Sequence, residues 1–172
     1  MDTDVVVVGA GPSGAATALL LSRAGHSVTV LDRTHFPRDK ACGEGLMPPG
    51  VGVLRRLGLL DAVAATMAPP LRGVTYTYRR VAAHAPFPVP PDGSERWGLG
   101  VRRTRFDAVL ADALRREPGV TLLEDMRATG LLRDNSGAVA GVATTSGPVV
   151  ADVVVAADGL HSRMRAAAGW TR

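Results

Sequence analysis

Three glycines near the start of the chain are the first residues whose spacing suggests chemistry. Gly9, Gly11 and Gly14 fit the pattern G-x-G-x-x-G. In this pattern the first glycine allows a tight turn, the second leaves room for phosphates, and the third lets a helix pack closely on a strand. Ser13 lies where that helix begins, and the exposed amides and dipole of a helix N-terminus favour a diphosphate. The pattern therefore predicts a site for the diphosphate of a dinucleotide.

The residues around these glycines predict the strand–helix–strand unit that such a site requires. Val5 to Val8 form a run of four β-branched residues suited to a buried parallel strand, and Ala15 to Leu21 form an apolar helix. A second strand from Ser27 to Leu31 leads to Asp32, eighteen residues after the last glycine, where a carboxylate can accept a hydrogen bond from a ribose 2′-hydroxyl. A carboxylate there disfavours NADP, whereas FAD, NAD and a purely structural turn all stay open.

Composition limits the classes of protein to which the chain can belong. Its 172 residues, 46% of them hydrophobic, provide a core for one domain with at most a small subdomain. No apolar run reaches the length of a membrane span, and Asp2 and Asp4 stand where a signal peptide needs positive charge. Cys42 is the single cysteine and the four histidines are scattered, so neither a disulfide nor a metal site is expected. We expect a cytoplasmic protein with no membrane span and no bound metal.

The basic charge of the chain does not indicate a nucleic-acid partner. The net charge of +4 comes from nineteen arginines and one lysine, which are spread along the chain without a basic run of five or more. Only 4% of the residues are aromatic, so few side chains are available to stack on bases. We therefore expect no nucleic acid among the partners.

The remaining pattern predicts a parallel sheet covered by helices, with an antiparallel β-meander attached. In the first half of the chain, short helices are expected at 51–57 and 61–66, and short strands at 74–78 and 96–101 on either side of a turn-rich segment at 86–93. A longer amphipathic helix at 104–116 and a parallel strand at 120–123 follow. The last elements are three meander strands with turns at 135–137 and 146–147, a returning strand at 153–156 and a closing helix at 160–168. This order of elements is typical of an α/β fold.

Three further segments resemble one known family. The segment from Val155 to Arg165 reads VAADGLHSRMR, the segment from Val101 to Asp107 reads VRRTRFD, and the segment from Phe36 to Leu46 reads FPRDKACGEGL. Together they resemble, in order and spacing, the motifs of the flavin-dependent aromatic hydroxylases and geranylgeranyl reductases. The resemblance covers essentially the whole chain and implies FAD as cofactor. It also implies a glutathione-reductase-type FAD/NAD(P)-binding, Rossmann-like α/β domain.

The resemblance also implies which residues contact FAD beyond the glycine loop and Asp32. By position in the motifs, Asp158 and Gly159 approach the diphosphate, and Arg103 reaches the ribityl and phosphate region. The other residues assigned to the cofactor by position are Arg33, then Cys42, Gly43 and Gly45 beside the flavin ring, and Ala128 at the adenine.

Simpler roles stay open for three of these residues. Asp158 is alternatively a cap of the following helix, with Ser162 facing solvent. Arg103 is alternatively a solvated arginine at a helix start, and Cys42 a small buried residue, as free cysteines usually are.

The family also carries segments that have no counterpart in this sequence. A Gly-Asp segment that binds the ribityl chain is absent after Arg165, as is most of the substrate-binding sheet. We therefore expect residues 1–70 and 101–172 to form a truncated FAD-binding domain and residues 71–100 to begin a substrate domain. The expected partners are a small-molecule substrate and either a missing C-terminal half or a second copy of the chain.

Three functions follow from the resemblance. The first is a flavin monooxygenase, in which NAD(P)H reduces FAD and one oxygen atom from O₂ passes to a small organic substrate. The second is a flavin-dependent reductase of isoprenoid or other alkenes, which the Cys42 segment favours. The third is a non-catalytic nucleotide-binding remnant, or a half that needs another chain. No catalytic residue is assigned in any of the three.

Overall fold

The computed structural model describes residues 2–42, 44–88, 91 and 96–170. The helices are α1 Pro12–Arg23, α2 Pro48–Arg56, α3 Leu60–Ala64, α4 Arg103–Arg116 and α5 Arg163–Ala167. The strands are β1 Asp2–Val8, β2 Val28–Leu31, β3 Gly45–Leu46, β4 Pro70–Leu71, β5 Gly73–Tyr78, β6 Val81–Pro86, β7 Gly98–Gly100, β8 Val120–Leu123, β9 Ala128–Arg133, β10 Val139–Thr144 and β11 Gly147–Ala156. The chain divides into two compact units: unit 1 comprises residues 1–38 and 110–172, and unit 2 comprises residues 39–109.

Unit 1 is built on a six-stranded sheet in the order β8-β2-β1-β11-β10-β9. Strands β8, β2, β1 and β11 are parallel to one another, and β10 and β9 continue the sheet antiparallel. The valines of β1 are almost completely buried, as expected for a central parallel strand. Helix α1 packs through a face of small residues and one leucine, namely Gly14, Ala15, Ala18 and Leu19. The predicted α/β fold with a parallel sheet and an antiparallel extension is confirmed.

One strand of unit 1 differs from the sequence prediction. The third meander strand and the returning strand 153–156 are a single ten-residue strand, β11. Its first residues pair with β10, and the residues from Val150 onward pair with β1. The predicted returning strand begins at Val153, directly after the polar Asp152. In an extended strand, however, alternate residues point to opposite faces, and Asp152 is exposed.

Unit 2 contains the short helices α2 and α3 and two small antiparallel sheets. Strands β3, β7 and β4 form one sheet, with β7 in the centre, and β5 and β6 form a separate hairpin. Strand β5 confirms the predicted strand at 74–78, whereas β6 was not predicted, because its alanine and histidine residues carry little strand preference. The predicted turn-rich segment at 86–93 lies partly outside the described residues.

The ends of most helices lie close to their predicted positions. Helix α2 begins three residues earlier than predicted, at Pro48, which suits the first position of a helix because proline has no amide to leave unpaired there. Helix α5 is shorter than the predicted 160–168, because Ser162 caps it. In the part of the chain that the structure describes, no helix is both long enough and apolar enough to cross a membrane.

A partly buried glutamate that follows β8 forms hydrogen bonds with α4 and with the segment after β2. Glu124 follows β8, and its Oε1 accepts a hydrogen bond of 2.8 Å from the amide of Phe36, in the segment after β2. The Nη2 atom of Arg115 on α4 donates to both oxygens of Glu124 at 2.8 Å. Burial alone would raise the pKa of Glu124, but the hydrogen bonds from Arg115 and Phe36 outweigh it, and the pKa lies below its usual value of 4.5. This carboxylate thereby fixes the segment that follows β2.

The lowered pKa of Glu124 predicts how the stability of the chain depends on pH. A carboxyl whose pKa is lowered by folding stabilises the folded state above its unfolded pKa, and that contribution is lost as pH falls through the folded pKa. The free energy of unfolding of the native chain should therefore fall more steeply below about pH 4.5 than that of Glu124→Gln. Urea titrations at a series of pH values measure this slope. Arg115→Met should flatten it in the same way, and equal slopes for the native chain and Glu124→Gln would contradict the assignment.

Candidate functional site

At two positions in the β1–α1 turn and the first turn of α1, the structure accommodates only glycine. Gly9 has a φ of +103°, and a Cβ atom built there would lie 2.5 Å from the carbonyl oxygen of Ala157. A Cβ atom on Gly14 would overlap the carbonyl oxygen of Gly9. The amide of Gly9 also donates to Leu31 at the end of β2, at 2.7 Å. The predicted tight turn and close helix packing are therefore both present.

The same contacts bring the two ends of the sequence together. Val8 lies beside Ala156 in the parallel register of β1 and β11, and the amide of Ala157 donates to the carbonyl oxygen of Val8 at 2.9 Å. The glycine loop and the Asp158-Gly159 segment consequently meet at the carboxyl ends of adjacent parallel strands. That edge is where open α/β sheets bind their ligands.

Helix α1 begins without a side-chain cap. Gly11 occupies the N-cap position in an extended conformation, Pro12 follows, and the first turn contains no acidic residue. The side chain of Ser13 in this turn is exposed. An uncapped helix N-terminus presents backbone amides and a positive dipole end, which is the arrangement that binds a diphosphate.

Asp32 lies at the end of β2, as predicted, but its carboxylate has a second role. The side chain is only 5% exposed, and its Oδ2 accepts a hydrogen bond of 2.9 Å from the amide of Ala10 in the glycine loop. Its Oδ1 accepts from the amide and the hydroxyl of Thr34, at 3.1 and 2.8 Å. The carboxylate thus holds the glycine loop against the end of β2, which the sequence motif did not indicate.

Arg38 is a site residue that the sequence prediction missed. Its Nη2 lies 3.4 Å from Oδ2 of Asp32, and its guanidinium lies 4.9 Å from the centre of the Phe36 ring. The Asp32 carboxylate therefore accepts three hydrogen bonds, from Ala10 and Thr34, and also lies next to a guanidinium. The signal was present, since Arg38 belongs to the Phe36–Leu46 segment.

Asp158 combines a capping role with an unpaired oxygen. Its Oδ2 accepts from the amides of Arg163 and Met164 at 2.7 and 3.2 Å, at the start of α5. Its Oδ1 is buried and has no hydrogen-bond partner among the described residues. Ser162 does not simply face solvent, because its hydroxyl accepts from the amide of Arg165 at 2.9 Å. Asp158 therefore caps α5 through Oδ2, and its Oδ1 is available for a ligand.

Unit 2 holds a second group of predicted site residues around Arg103. The Nε atom of Arg103 donates to Oδ1 of Asp107 at 2.6 Å, and the two side chains are 12% and 0% exposed. Burial alone would lower the pKa of Arg103, but the hydrogen bond to Asp107 outweighs it, and contact with Cys42 adds to the increase in pKa. Arg103 is thus held by a buried partner rather than solvated, whereas Cys42 is exposed.

Asp107 is the second site residue that the sequence prediction missed. It lies four residues after Arg103 on α4, a spacing at which opposite charges meet on a helix. It was also part of the Val101–Asp107 segment. The signal was therefore present, but a charged residue is rarely buried unless it is paired, and the sequence does not show the burial.

The remaining predicted cofactor residues lie in varied surroundings. Arg33 is exposed, as is Gly45 at the start of β3. Ala128 begins β9 and is buried in the core cluster of unit 1. Gly43 lies outside the described residues. The cofactor contacts of all four stay predictions.

The described groups of unit 1 fit the adenosine diphosphate part of a dinucleotide. The glycine loop leaves no room for side chains, helix α1 offers uncapped amides, and Asp158 keeps one buried oxygen without a partner. Asp32 lies at the end of β2, the position from which a carboxylate binds a ribose in this kind of fold. These features supply donors for a diphosphate and acceptors for hydroxyl groups.

Comparison with known proteins agrees with this geometry. A family model described as the FAD binding domain matches residues 2–172. The squalene epoxidase of Schizosaccharomyces pombe is 35% identical, over 96% of this chain and 38% of that protein. The menaquinone reductase of Mycolicibacterium smegmatis is 34% identical, over 98% of this chain and 40% of that protein.

A solved structure supports the same assignment. The myxobacterial chondrochloren halogenase CndH, an FAD-dependent halogenase, superposes with a TM-score of 0.85 at 30% identity. The match covers 96% of this chain and 39% of the halogenase. The chain thus spans about two fifths of the length of the proteins it matches.

The position of Asp32 predicts a loss of stability when its charge is removed in the absence of nucleotide. In Asp32→Asn, one acceptor oxygen becomes an amide group, which cannot accept the hydrogen bonds that the carboxylate receives. The free energy of unfolding should fall by about 1–3 kcal/mol. Urea unfolding without nucleotide measures this change. Asp152→Asn is the matched control: Asp152 is exposed on β11, and its substitution should change the stability by less than about 0.5 kcal/mol. Equal losses in the two variants would contradict the role of Asp32.

Proposed function

Because the chain belongs to the FAD binding domain family, we propose that it forms the FAD-binding portion of a monooxygenase that takes electrons from NAD(P)H. Its membership confirms the family and the FAD cofactor that the sequence motifs indicate. The observation that carries the proposal is the contact of Gly9 with the Ala157–Asp158 backbone, which joins two family motifs at one edge of the sheet. The substrate is a small organic molecule.

The adenosine diphosphate part of FAD is assigned to unit 1. The amides at the start of α1, including that of Ser13, bind the diphosphate, and Gly9, Gly11 and Gly14 keep side chains out of its way. Asp32 and Arg33 bind the ribose, and the backbone of Ala128 lies at the adenine. The free Oδ1 of Asp158, with Gly159 beside it, accepts a hydrogen bond from a hydroxyl or from a water molecule on the diphosphate.

The flavin side of FAD is assigned to residues of unit 2. An arginine carries five N–H donors, and the hydrogen bond from Nε to Asp107 uses one of them. The buried Asp107 holds the guanidinium of Arg103 in place, so its remaining donors bind phosphate or ribityl oxygens without a further loss of side-chain freedom. Cys42, Gly43 and Gly45 lie along the flavin ring. When bound, FAD accepts a hydride from NAD(P)H and reacts with O₂.

The second candidate function is a flavin-dependent alkene reductase. It is favoured by the menaquinone reductase of Mycolicibacterium smegmatis, which is 34% identical to this chain, and by the Cys42–Leu46 segment. The squalene epoxidase of Schizosaccharomyces pombe, at 35% identity, favours the oxygen-transferring function. A non-catalytic nucleotide-binding chain is the third candidate.

We also propose that further polypeptide completes the protein, either as the remainder of a longer chain or as a second copy. One support is that the chain spans about two fifths of its relatives. The other is apolar surface at two places, namely beside Val153 and Trp170 in unit 1, and on β5, where Tyr76 and Tyr78 are each 72% exposed. In this proposal residues 1–70 and 101–172 bind FAD, and residues 71–100 begin the substrate domain. The cytoplasm is the proposed location.

A charge placed at the start of α1 tests the diphosphate assignment. Ser13→Asp puts a carboxylate in the first helical turn, where it stabilises the helix by about 0.3–1 kcal/mol. The same charge repels a diphosphate, so FAD should bind at least about tenfold more weakly, a loss of about 1.4 kcal/mol in binding free energy. Thermal unfolding and quenching of flavin fluorescence measure the two effects, which should have opposite signs. Ser13→Asn is the neutral control. If Ser13→Asp binds FAD as tightly as Ser13→Asn, the diphosphate does not lie at this helix.

The reaction with O₂ distinguishes the candidate functions. With FAD and NADH or NADPH in air, a monooxygenase portion should oxidise the nicotinamide and release hydrogen peroxide, faster than Ser13→Asp at the same FAD concentration. Peroxide assays and the absorbance of the nicotinamide measure this rate. Reduction of an isoprenoid alkene without O₂ would instead establish the reductase. Binding of FAD with neither activity would support the non-catalytic candidate.

A further inference from the structure

Unit 2 contains a cavity that borders the residues assigned to the flavin ring and shares Gly45 with them. It has a volume of about 390 Å³ and lies between the ends of β3, β4 and β7 and the start of α4. Met67, Pro69 and Leu71 form part of its apolar lining, and Arg102 and Arg105 contribute positive charge. Cavities that bind small molecules have volumes of about 300–1,000 Å³ and combine an apolar lining with a few polar groups.

The two arginines place uncompensated positive charge at this cavity. Arg102 directly precedes α4 and Arg105 lies in its first turn, and both line the cavity. The Nη1 atom of Arg105 donates to the carbonyl oxygen of Thr66 at 2.7 Å, which fixes this guanidinium beside the cavity. Within the part of the chain that the structure describes, the side chain of Arg102 has no ion pair and no hydrogen bond.

One carboxylate also borders the cavity, but it does not pair with either arginine. Glu44 accepts a hydrogen bond of 3.3 Å at Oε1 from the amide of Arg103, and so caps α4. Two guanidinium groups and one carboxylate leave a net positive charge. Bound anionic groups would relieve the repulsion between the arginines, since guanidinium groups bind carboxylate and phosphate in a bidentate manner.

The apolar side of the cavity favours an aliphatic ligand. Met67 is 85% exposed, and an exposed methionine side chain adapts its shape to a ligand. The described lining contains no aromatic side chain, so the site has no ring on which a base or an aromatic substrate could stack. We propose that this cavity binds a small amphipathic anion, that is, a carboxylate or phosphate group on an aliphatic chain. The proposal does not rest on the proposed function, because the two arginines and the apolar residues that carry it are not assigned to FAD.

The binding of decanoate to the whole 172-residue chain tests the proposal through the methyl group of Met67. In a sample with ¹³C-methyl-labelled methionine, Met67→Leu identifies the Met67 signal. Decanoate and decyl phosphate, below the concentrations at which they form micelles, should shift this signal at low concentration. Decanol, which lacks the charge, and inorganic phosphate, which lacks the chain, should each bind at least about tenfold more weakly.

Variants that lack the two arginine charges distinguish an anion-binding site from a purely apolar surface. The double variant Arg102→Gln, Arg105→Gln should bind decanoate at least about tenfold more weakly. The matched control is Arg56→Gln, Arg80→Gln, which removes the same charge from two exposed positions of unit 2 and should bind as the native chain does. The variant with lysine at positions 102 and 105 keeps the charge and should retain most of the affinity.

Each alternative result would overturn the proposal. Equal binding of decanol and decanoate would show a purely apolar surface, and equal binding of inorganic phosphate would show that the aliphatic chain is not recognised. Equal weakening in the control pair would show an effect of net charge alone. The Met47 methyl at the start of α2 in unit 2 and the buried Met164 methyl in unit 1 report whether both units of each variant fold. If the glutamine variant unfolds, loss of affinity in the folded lysine variant would count against the proposal.

Discussion

The backbone of the glycine loop can reach the Ala157–Asp158 segment only because no side chain intervenes. A Cβ atom at Gly9 or at Gly14 would collide with backbone carbonyl oxygens, and these atoms belong to the strand ends and cannot move aside as a side chain can. The parallel pairing of β1 with both β2 and β11 brings the strand ends to the same edge. The tight loop thereby places the amides of α1 and the carboxylate of Asp158 within one region of unit 1.

The buried carboxylate of Asp32 and the partly buried carboxylate of Glu124 then fix the geometry of this region. Asp32 joins the loop to the end of β2 through the amide of Ala10, and Glu124 joins the segment after β2 to α4. In both cases the charge has donors on two sides, including an arginine. A buried charge is costly when it is left without partners, so each of these carboxylates fixes the positions of the groups that donate to it. The arrangement is thus set before any ligand binds, which lowers the ordering cost of binding.

The sequence predicts the parts of this region that depend on local pattern. The glycine spacing, the valine run of β1 and the position of Asp32 follow from residues close together in the chain, and the structure contains the turn, strand and acidic residue that they indicate. The role of Asp32 toward Ala10 was not predictable, because it depends on how closely two loops approach. The roles of Asp107 and Arg38 were not predictable for the same reason. Both residues lie in segments that resemble the family motifs, but their burial and pairing depend on tertiary packing. The predicted length of β11 was wrong because this strand pairs with β10 along its first half and with β1 along its second. A strand with two sets of partners has no single hydrophobic pattern.

Some of the exposed apolar residues in the described part of the chain lie in two groups, one in each unit. Single exposed apolar side chains are normal on protein surfaces, whereas contiguous patches mark contact sites. In unit 1, Val153 and Trp170 are 52% and 69% exposed, and they border an apolar hollow that also contains the buried Met164. In unit 2, the β5–β6 hairpin has tyrosines exposed on β5 and no further strand of the described residues beside it. An isolated hairpin is marginally stable in water, so additional strands would stabilise it. The two surfaces therefore favour the same inference, namely that further polypeptide packs on this chain when it acts.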